Sequence, residues 1–295
     1  MIDIKDMQHL VALAQHRHFA KAAEACKISQ PAFSMRIRNL EEKLGVAIVR
    51  RGNRFLGFTE QGDILVRRSR GILDDTKALE QEVNAVSGVV SGSVTMGVVP
   101  TALAFAAQLC IRLHKAHPGI VVKIVSTTSL RIQQRMDDGT IDAGITYDDS
   151  VSADLMRVDR LYLEEYVLLA PRGMVAEGMA SISWADAAKL PMSLLEPQMQ
   201  NRRILDRMFT EASVQPNVIA ESNGFVSSLI IAREGVAATI VPKVLLAGLG
   251  TPEGTVAVDL EGANPDKAMC LVTPARRTTL PAVAVMRSLA TSSDN

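Results

Sequence analysis

Cysteine is scarce in this 295-residue chain: Cys26, Cys110 and Cys270 lie far apart, in an odd number and without CxxC or Cys/His spacing. That pattern argues against a disulfide framework and against a thiolate metal site, and no metal is expected. Histidine occurs only at positions 9, 16, 18, 114 and 117, so the second half lacks the usual general base. His114 and His117 are spaced i,i+3 but have no carboxylate or cysteine in register, and they read as a surface pair before Pro118. No G-x-S-x-G, P-loop or G-x-G-x-x-G follows a strand-like segment, which leaves an enzyme reading without a motif. The start, MIDIKDMQHL, has no signal-peptide core, and apolar runs such as VVSGSVTMGVV are broken by Gly and Ser well short of a membrane span. The expectation is a soluble, cytoplasmic chain with no membrane partner and no cofactor. The 13 methionines read as core filler, and Cys110 as a buried residue on an apolar helix stripe.

What the chain does have is an uneven charge. Residues 1–70 carry 13 Lys/Arg and 7 Asp/Glu, a balance of +6, whereas the remainder carries 19 bases against 25 acids. The formal total of zero therefore hides a basic end suited to a polyanion.

Periodicity organises that end. Ile4, Met7, Leu10, Val11 and Ala14 fall at helical spacing over residues 4–16. A second short helix starts at Phe19 and stops near Cys26. A third runs from about Pro31 to Leu44, inward at Phe33, Ile37, Leu40 and Leu44, and ends on Gly45. Short helix, tight turn, helix is the helix-turn-helix arrangement. Arg50-Arg51-Gly52-Asn53-Arg54, between Ile48 and Phe58, reads as the basic tip of a two-stranded wing. From Glu60 to Val86 there is no proline, and Leu65, Ile72, Leu79 and Val86 recur every seven residues, with Val83 added. This is a heptad seam on a long helix, suited to pairing with a second copy; packing on its own domain is the alternative. Ser87–Ser93 forms a linker.

Beyond it, strands and helices alternate: strands at 94–99, 120–125, 143–146, 162–170, 237–241 and 269–273, helices at 101–116, 130–138, 204–211, 227–234 and 280–289. Such alternation implies an α/β unit with a parallel sheet, as one open sheet or as two lobes with a cleft. The division expected is 1–60 for a DNA-binding domain, 61–90 for a linker and dimerisation helix, and 91–295 for a ligand-binding domain. Its first lobe takes about 91–160 and 267–295, its second about 161–266.

Arg36 and Arg38 sit early on the third helix, where the macrodipole disfavours cations. On DNA the placement makes sense, because the N-terminal part of a recognition helix enters the major groove. Gln30 and Ser34 would bond base edges; Arg36 and Arg38 would bond phosphates or guanine. Ser29, Pro31, Arg51 and Arg54 complete the expected DNA-binding set.

Residues 7–62 resemble the N-terminal domain of LysR-type transcriptional regulators. The resemblance is carried by Phe19, Ala22-Ala23, Ser29-Gln30-Pro31-Ala32, Ser34, Ile37, Leu40-Glu41, Leu44-Gly45, Arg51, Arg54, Thr59 and Gly62. Val49, Phe58 and Gln61 depart from the usual pattern as packing swaps. Gly92-Ser93-Val94, His117-Pro118-Gly119-Ile120, Gly139-Thr140-Ile141-Asp142 and Gly235-Val236-Ala237 resemble segments of the family's effector domain. The resemblance implies a winged helix-turn-helix, a dimerising linker helix and a two-lobed domain like type II periplasmic binding proteins. It also implies a homotetramer on double-stranded operator DNA, with RNA polymerase a further candidate partner. The competing class is an α/β binding protein or enzyme without DNA function.

A ligand between two lobes would lie at strand ends and helix starts, where free N–H groups favour anions. Pro100 and Thr101, Thr128 and Ser129, and Thr146 and Tyr147 occupy such places, and the resemblance puts the corresponding positions on the effector cleft. Thr101 and Ser129 also suit helix N-caps. Arg202, with Arg203 at another helix start, reads as a bidentate ligand for a small carboxylate or inorganic anion. Asn223 and Phe225 would close the pocket.

Overall fold

A computed structural model of the chain describes residues 1–50, 55–86, 90–150, 154–262, 267–275 and 279–292. Helices α1 (Ile4–His16), α2 (Phe19–Ala25) and α3 (Gln30–Leu44) pack Leu10, Leu13, Ala22, Phe33, Ile37 and Leu40 into one core with Ile48 and Val66. Asp3 and Asp6 form a capping box on α1, satisfying two orphan N–H groups. Gly45 ends α3 in the left-handed region at φ 68°, a conformation glycine adopts without a Cβ penalty. Glu41 is buried, and its Oε1 accepts the Ile48 and Val49 N–H groups, pinning the chain as it leaves α3. Asp6 and Lys43 join α1 to α3 at 3.0 Å. The expected wing is present as a single antiparallel bridge, Val49 to Phe58, with Arg50 N–H on the Gly57 carbonyl at 2.9 Å. Its tip, with Arg51 and Arg54, lies outside the described residues.

The linker helix α4 (Glu60–Val86) carries two stripes. Val66, Ala78 and Gln81 are buried against the chain's own domains, while Ile72, Leu79, Val83 and Val86 are exposed. The self-packed face therefore exists, and of the expected heptad Ile72, Leu79 and Val86 form the outward seam while Leu65 packs on the N-terminal core. Gln81 accepts the Ala282 N–H at 3.2 Å, and Lys77 pairs with Asp142 at 3.0 Å.

Two lobes follow. The first holds β1 (Gly92–Val98), β2 (Ile120–Ser126), β3 (Ala143–Tyr147), β4 (Met156–Leu163) and β11 (Ala268–Pro274) in the order β2-β1-β3-β11-β4. β1, β2 and β3 are parallel; β11 runs antiparallel to both neighbours. Helices α5 (Leu103–Ala116), α6 (Ser129–Asp137) and α11 (Pro281–Thr291) belong to this lobe. Cys110, on α5, is half-buried and not the fully buried residue expected. The second lobe holds β5 (Tyr166–Pro171), β6 (Ser181–Ile182), β9 (Thr239–Pro242) and β10 (Thr255–Leu260) in the order β6-β10-β5-β9, and a parallel pair, β7 (Pro191–Leu195) with β8 (Asn217–Ser222). Its helices are α7 (Trp184–Ala187), α8 (Gln200–Glu211), α9 (Phe225–Arg233) and α10 (Lys243–Leu249). The sheets are thus mixed, not purely parallel.

The apolar stretch expected as one strand, residues 162–170, is in fact the end of β4 and most of β5, in different sheets. Glu164 and Glu165 interrupt it at the crossing between lobes. The returning chain passes alongside, with Glu164 N–H on the Lys267 carbonyl at 2.9 Å. Glu164 therefore lies where the chain passes from the first lobe to the second.

Candidate functional site

The α3 surface opposite the core is built first. Ser29 is the N-cap, its Oγ 3.4 Å from the Ala32 N–H, and Pro31 occupies the first turn, where its missing N–H costs nothing. At about 100° per residue, Gln30, Ser34 and Arg38 fall within about 80° of one another, with Pro31 and Met35 on the same outward side. Arg36 lies about 160° from Arg38 by the same count. The structure separates the two arginines accordingly. Both are exposed, but Arg36 borders a groove with Lys5, Gln8, His9 and Lys27, against α1. Burial, with Arg36 nearby, holds the His9 imidazole below its ordinary pKa, so it stays neutral beside this basic groove. Arg36 therefore does not share the Gln30–Ser34–Arg38 face. Met35, 59% exposed on that face, is a candidate contact residue that charge-based reading passed over.

The second site lies between the lobes. Pro100, Thr101, Thr128, Ser129 and Tyr147 from the first lobe meet Leu195, Met199, Gln200 and Asn201 from the second, around a narrow cleft. Five of the nine residues expected there are brought together. The cap of α6 is Thr128, whose Oγ1 faces the Arg131 N–H at 3.4 Å; Ser129 begins the helix itself. Helix α8 begins at Gln200 with no side-chain cap, which leaves first-turn N–H groups at the cleft. Ser129 Oγ and both amide atoms of Asn201 are buried without a hydrogen-bond partner among the described residues. Buried polar groups normally have partners, so these are candidates for ligand contact.

Four expectations are corrected. Arg202 does not reach the cleft. Its guanidinium is engaged by Asp206 at 2.8 Å, Glu221 at 2.7 Å and the Leu195 carbonyl at 2.9 Å, so the charge that looked misplaced at a helix start is matched inside the second lobe. Thr146 is buried, but successive strand residues face opposite ways, and only Tyr147 lines the cleft. Phe225 belongs to an apolar cluster with Val167, Leu169 and Leu195, backing the cleft wall without lining it. Asn223 is exposed and off the lining.

Beneath the cleft sits a group that sequence reading missed. Glu164, 1% exposed at the lobe crossing, accepts hydrogen bonds on Oε2 from Tyr147 at 2.7 Å and from Tyr166. Thr101 Oγ1 is 3.2 Å from the Tyr147 hydroxyl. Burial pushes the Glu164 carboxyl above its ordinary pKa, opposed by the hydroxyls that bond it, and burial with the neighbouring carboxyl pushes both tyrosines up strongly. Lys267 and Lys243 hold Asp149 and Glu165 instead, so neither offers this carboxyl a positive partner. Tyr162 adds a buried hydroxyl pushed upward by burial and by Glu164.

Similarity to known proteins follows both sites. Residues 4–63 match the model of "Bacterial regulatory helix-turn-helix protein, lysR family", and residues 87–293 match that of the "LysR substrate binding domain". A "Hydrogen peroxide-inducible genes activator" of Haemophilus influenzae is 27% identical over 282 residues, covering 92% of this chain and 90% of that protein. A full-length OxyR variant from Pseudomonas aeruginosa shares the fold with a TM-score of 0.73 at 20% identity, covering 99% and 98% of the two chains. Full-length CbnR complexed with its target DNA superposes with a TM-score of 0.64 at 18% identity, covering 98% and 99%. With both domain models matched in order along nearly the whole sequence, the chain belongs to the LysR family of bacterial helix-turn-helix transcriptional regulators.

Proposed function

We propose that this regulator reads operator DNA with the Gln30, Pro31, Ser34, Met35 and Arg38 face of α3, and responds to a small polar effector held between the lobes. The first part is supported by an exposed face in a +6 end, with Lys5, Lys27 and Arg36 as a flanking basic groove for phosphates. The described α3 face suits base edges: Gln and Ser can hydrogen-bond them, Arg38 can bond guanine, and Met35 can pack on a thymine methyl. Arg51 and Arg54 extend the proposal to the wing tip. Assembly follows the exposed α4 seam: a dimer through the linker helix, and a homotetramer on DNA, with contact to RNA polymerase where the outcome is activation. The chain has no helix among its described residues long and apolar enough to cross a membrane, and a cytoplasmic setting is the matching proposal. No residue is assigned a catalytic role.

The observation that carries the effector half is the convergence of two helix starts, α6 and α8, on a cleft containing buried, unpartnered Ser129 and Asn201. Free N–H groups and the macrodipole favour a small anion there, with no arginine required. An anion binding both starts would draw the lobes together about Glu164, and that preference for one state is what transmits a signal. The peroxide in the relative's name is not the signal proposed for this chain. Here no cysteine lines the cleft, and burial pushes the Cys270 thiol up to about 11 and raises that of Cys26, so little reactive thiolate forms at either.

Selection of duplexes from a random pool, followed by salt titration, tests the DNA half. A regulator recovers a preferred site and loses affinity steeply as salt rises. Recovery of no preferred site would sink the operator-reading proposal. Melting of the full chain against small anions tests the effector half: a binder of the folded state raises the midpoint with concentration. A ligand whose effect survives Asn201→Leu and Ser129→Phe does not sit in this cleft.

A further inference from the structure

The Glu164 carboxyl is separated from the cleft by one hydroxyl on each side. Tyr147 lines the cleft from the first lobe and sets its hydroxyl 2.7 Å from Glu164 Oε2. Tyr166, from the second lobe, sets its hydroxyl on the same oxygen and stands next to Asn201 on the lining. Glu164 Oε1 is buried and has no hydrogen-bond partner among the described residues. The turn ahead of α5 brings Thr101 to this cluster and the end of β4 brings the Tyr162 hydroxyl, neither of them a cation. Cations around the lobe crossing are engaged elsewhere: Lys267 by Asp149, Lys243 by Glu165 and Asp259, and Arg160 by Asp148. No side-chain cation among the described residues therefore offsets an ionised Glu164.

An ionised Glu164 is thus a buried carboxylate with one bare oxygen, a costly state. What eases it is the positive field at the starts of α6 and α8. An anion in the cleft would use the same field, together with the buried, unpartnered Ser129 hydroxyl and Asn201 amide. Resting on the cleft as the anion site, we infer that anion binding there is coupled to proton uptake by Glu164. Ligand and carboxylate are like charges one hydroxyl apart, so each weakens the other. The neutral carboxyl admits the anion, and a bound anion draws a proton onto Glu164, by reciprocal linkage. Affinity is highest at low pH. It weakens as pH rises from the Glu164 pKa of the empty site to the higher pKa of the occupied one, and then levels off. Glu164 is off the lining and acts through its charge.

The space left between the lobes is about 10 Å³, room for about one water-sized sphere, so the test uses a single atom, chloride. Melting of the full chain is followed against sodium chloride from pH 5 to pH 8, with ionic strength held constant by sodium gluconate. The chloride concentration at half-saturation should rise with pH by about tenfold, the size of a shift of about one pKa unit between like charges. In lightly buffered solution near the middle of that rise, adding chloride should raise the pH, because protons are taken up. Glu164→Gln removes the titrating charge and keeps the shape. Its half-saturation should stay flat with pH, at the parent's low-pH value. A flat parent, a rise that persists in Glu164→Gln, or no chloride effect at any pH overturns the inference. If Glu164→Gln does not fold, proton uptake by the parent decides instead, and its absence overturns the inference. Ser129→Phe, which fills the cleft, separates the linkage from the site. Chloride binding and proton uptake undiminished there would move the anion out of the cleft and take the site reading with it. Binding lost there, with a flat parent, would keep the site and remove only the linkage.

Discussion

Two helices of this chain place arginines where a lone helix would not want them, and the protein resolves the two cases in opposite directions. On α3, Arg38 points outward from a face that also carries Gln30, Ser34 and Met35. On α8, Arg202 turns inward, half surrounded by Asp206, Glu221 and a carbonyl. The first is an exposed charge for which DNA is the proposed partner; the second is a charge consumed by the fold. A sequence oddity of one kind therefore has two physical meanings. What separates them is whether acids from elsewhere in the chain, here Glu221 on β8, fold back within reach.

The largest expected effect strikes the inward case. Arg202→Ala leaves Asp206 and Glu221 facing each other and should destabilise the chain by about 2–3 kcal/mol, below the roughly 3–5 of a fully buried pair because both acids are partly exposed. Urea unfolding of the variant checks this; an unchanged midpoint together with lost effector binding would restore Arg202 to the cleft. The outward case should behave in reverse. Arg38→Ala should weaken binding to a selected operator by about 2 kcal/mol and relax specificity at one base pair, with unfolding unaltered. Arg36→Ala should act less and more evenly across sequences, as a phosphate contact does, lowering the salt slope by about one. If Arg36→Ala instead changes sequence preference as much as Arg38→Ala, the assignment of faces on α3 is wrong. Met35→Ala should cost about 1 kcal/mol, concentrated at a thymine-bearing position.

The smallest effect concerns the buried acid. The folded-state pKa of Glu164 is raised above the ordinary 4.5, so the native state holds a proton that the unfolded chain releases first. The stability of the parent should therefore decline relative to Glu164→Gln as pH rises from about 4.5 through the folded pKa, and then level off. Unfolding midpoints measured side by side from pH 4 to pH 8 check the sign. Parallel curves would mean that the carboxyl is ionised in the fold at the same pH as in the unfolded chain.

Much of the fold is legible in the sequence. Helical periodicity places α1, α3 and α4 to within a residue or two, because each has an apolar face of its own, and α1 and α3 have caps to end them. The cleft residues of the first lobe are legible because they follow parallel strands, and strand ends feeding helix starts collect there in any such sheet. The crossing between lobes is not. The stretch from Tyr162 to Ala170 is continuously apolar except at Glu164 and Glu165, and nothing local says that the chain changes sheets there. Nor is the second-lobe wall legible: Asn201 and Met199 enter the cleft because the start of α8 lies across from the start of α6, a relation between residues far apart in the chain.

By itself, then, the sequence determined which segments form elements, where the basic end lies and to which family the chain is similar, because those follow from local spacing and composition. The tertiary structure alone decided which arginine stays exposed and which is paired inside the fold, which polar groups face the cleft and where the buried acid sits. Those depend on long-range neighbours: burial raises the cost of an unmatched charge or hydrogen bond, and only folding determines what is there to match it.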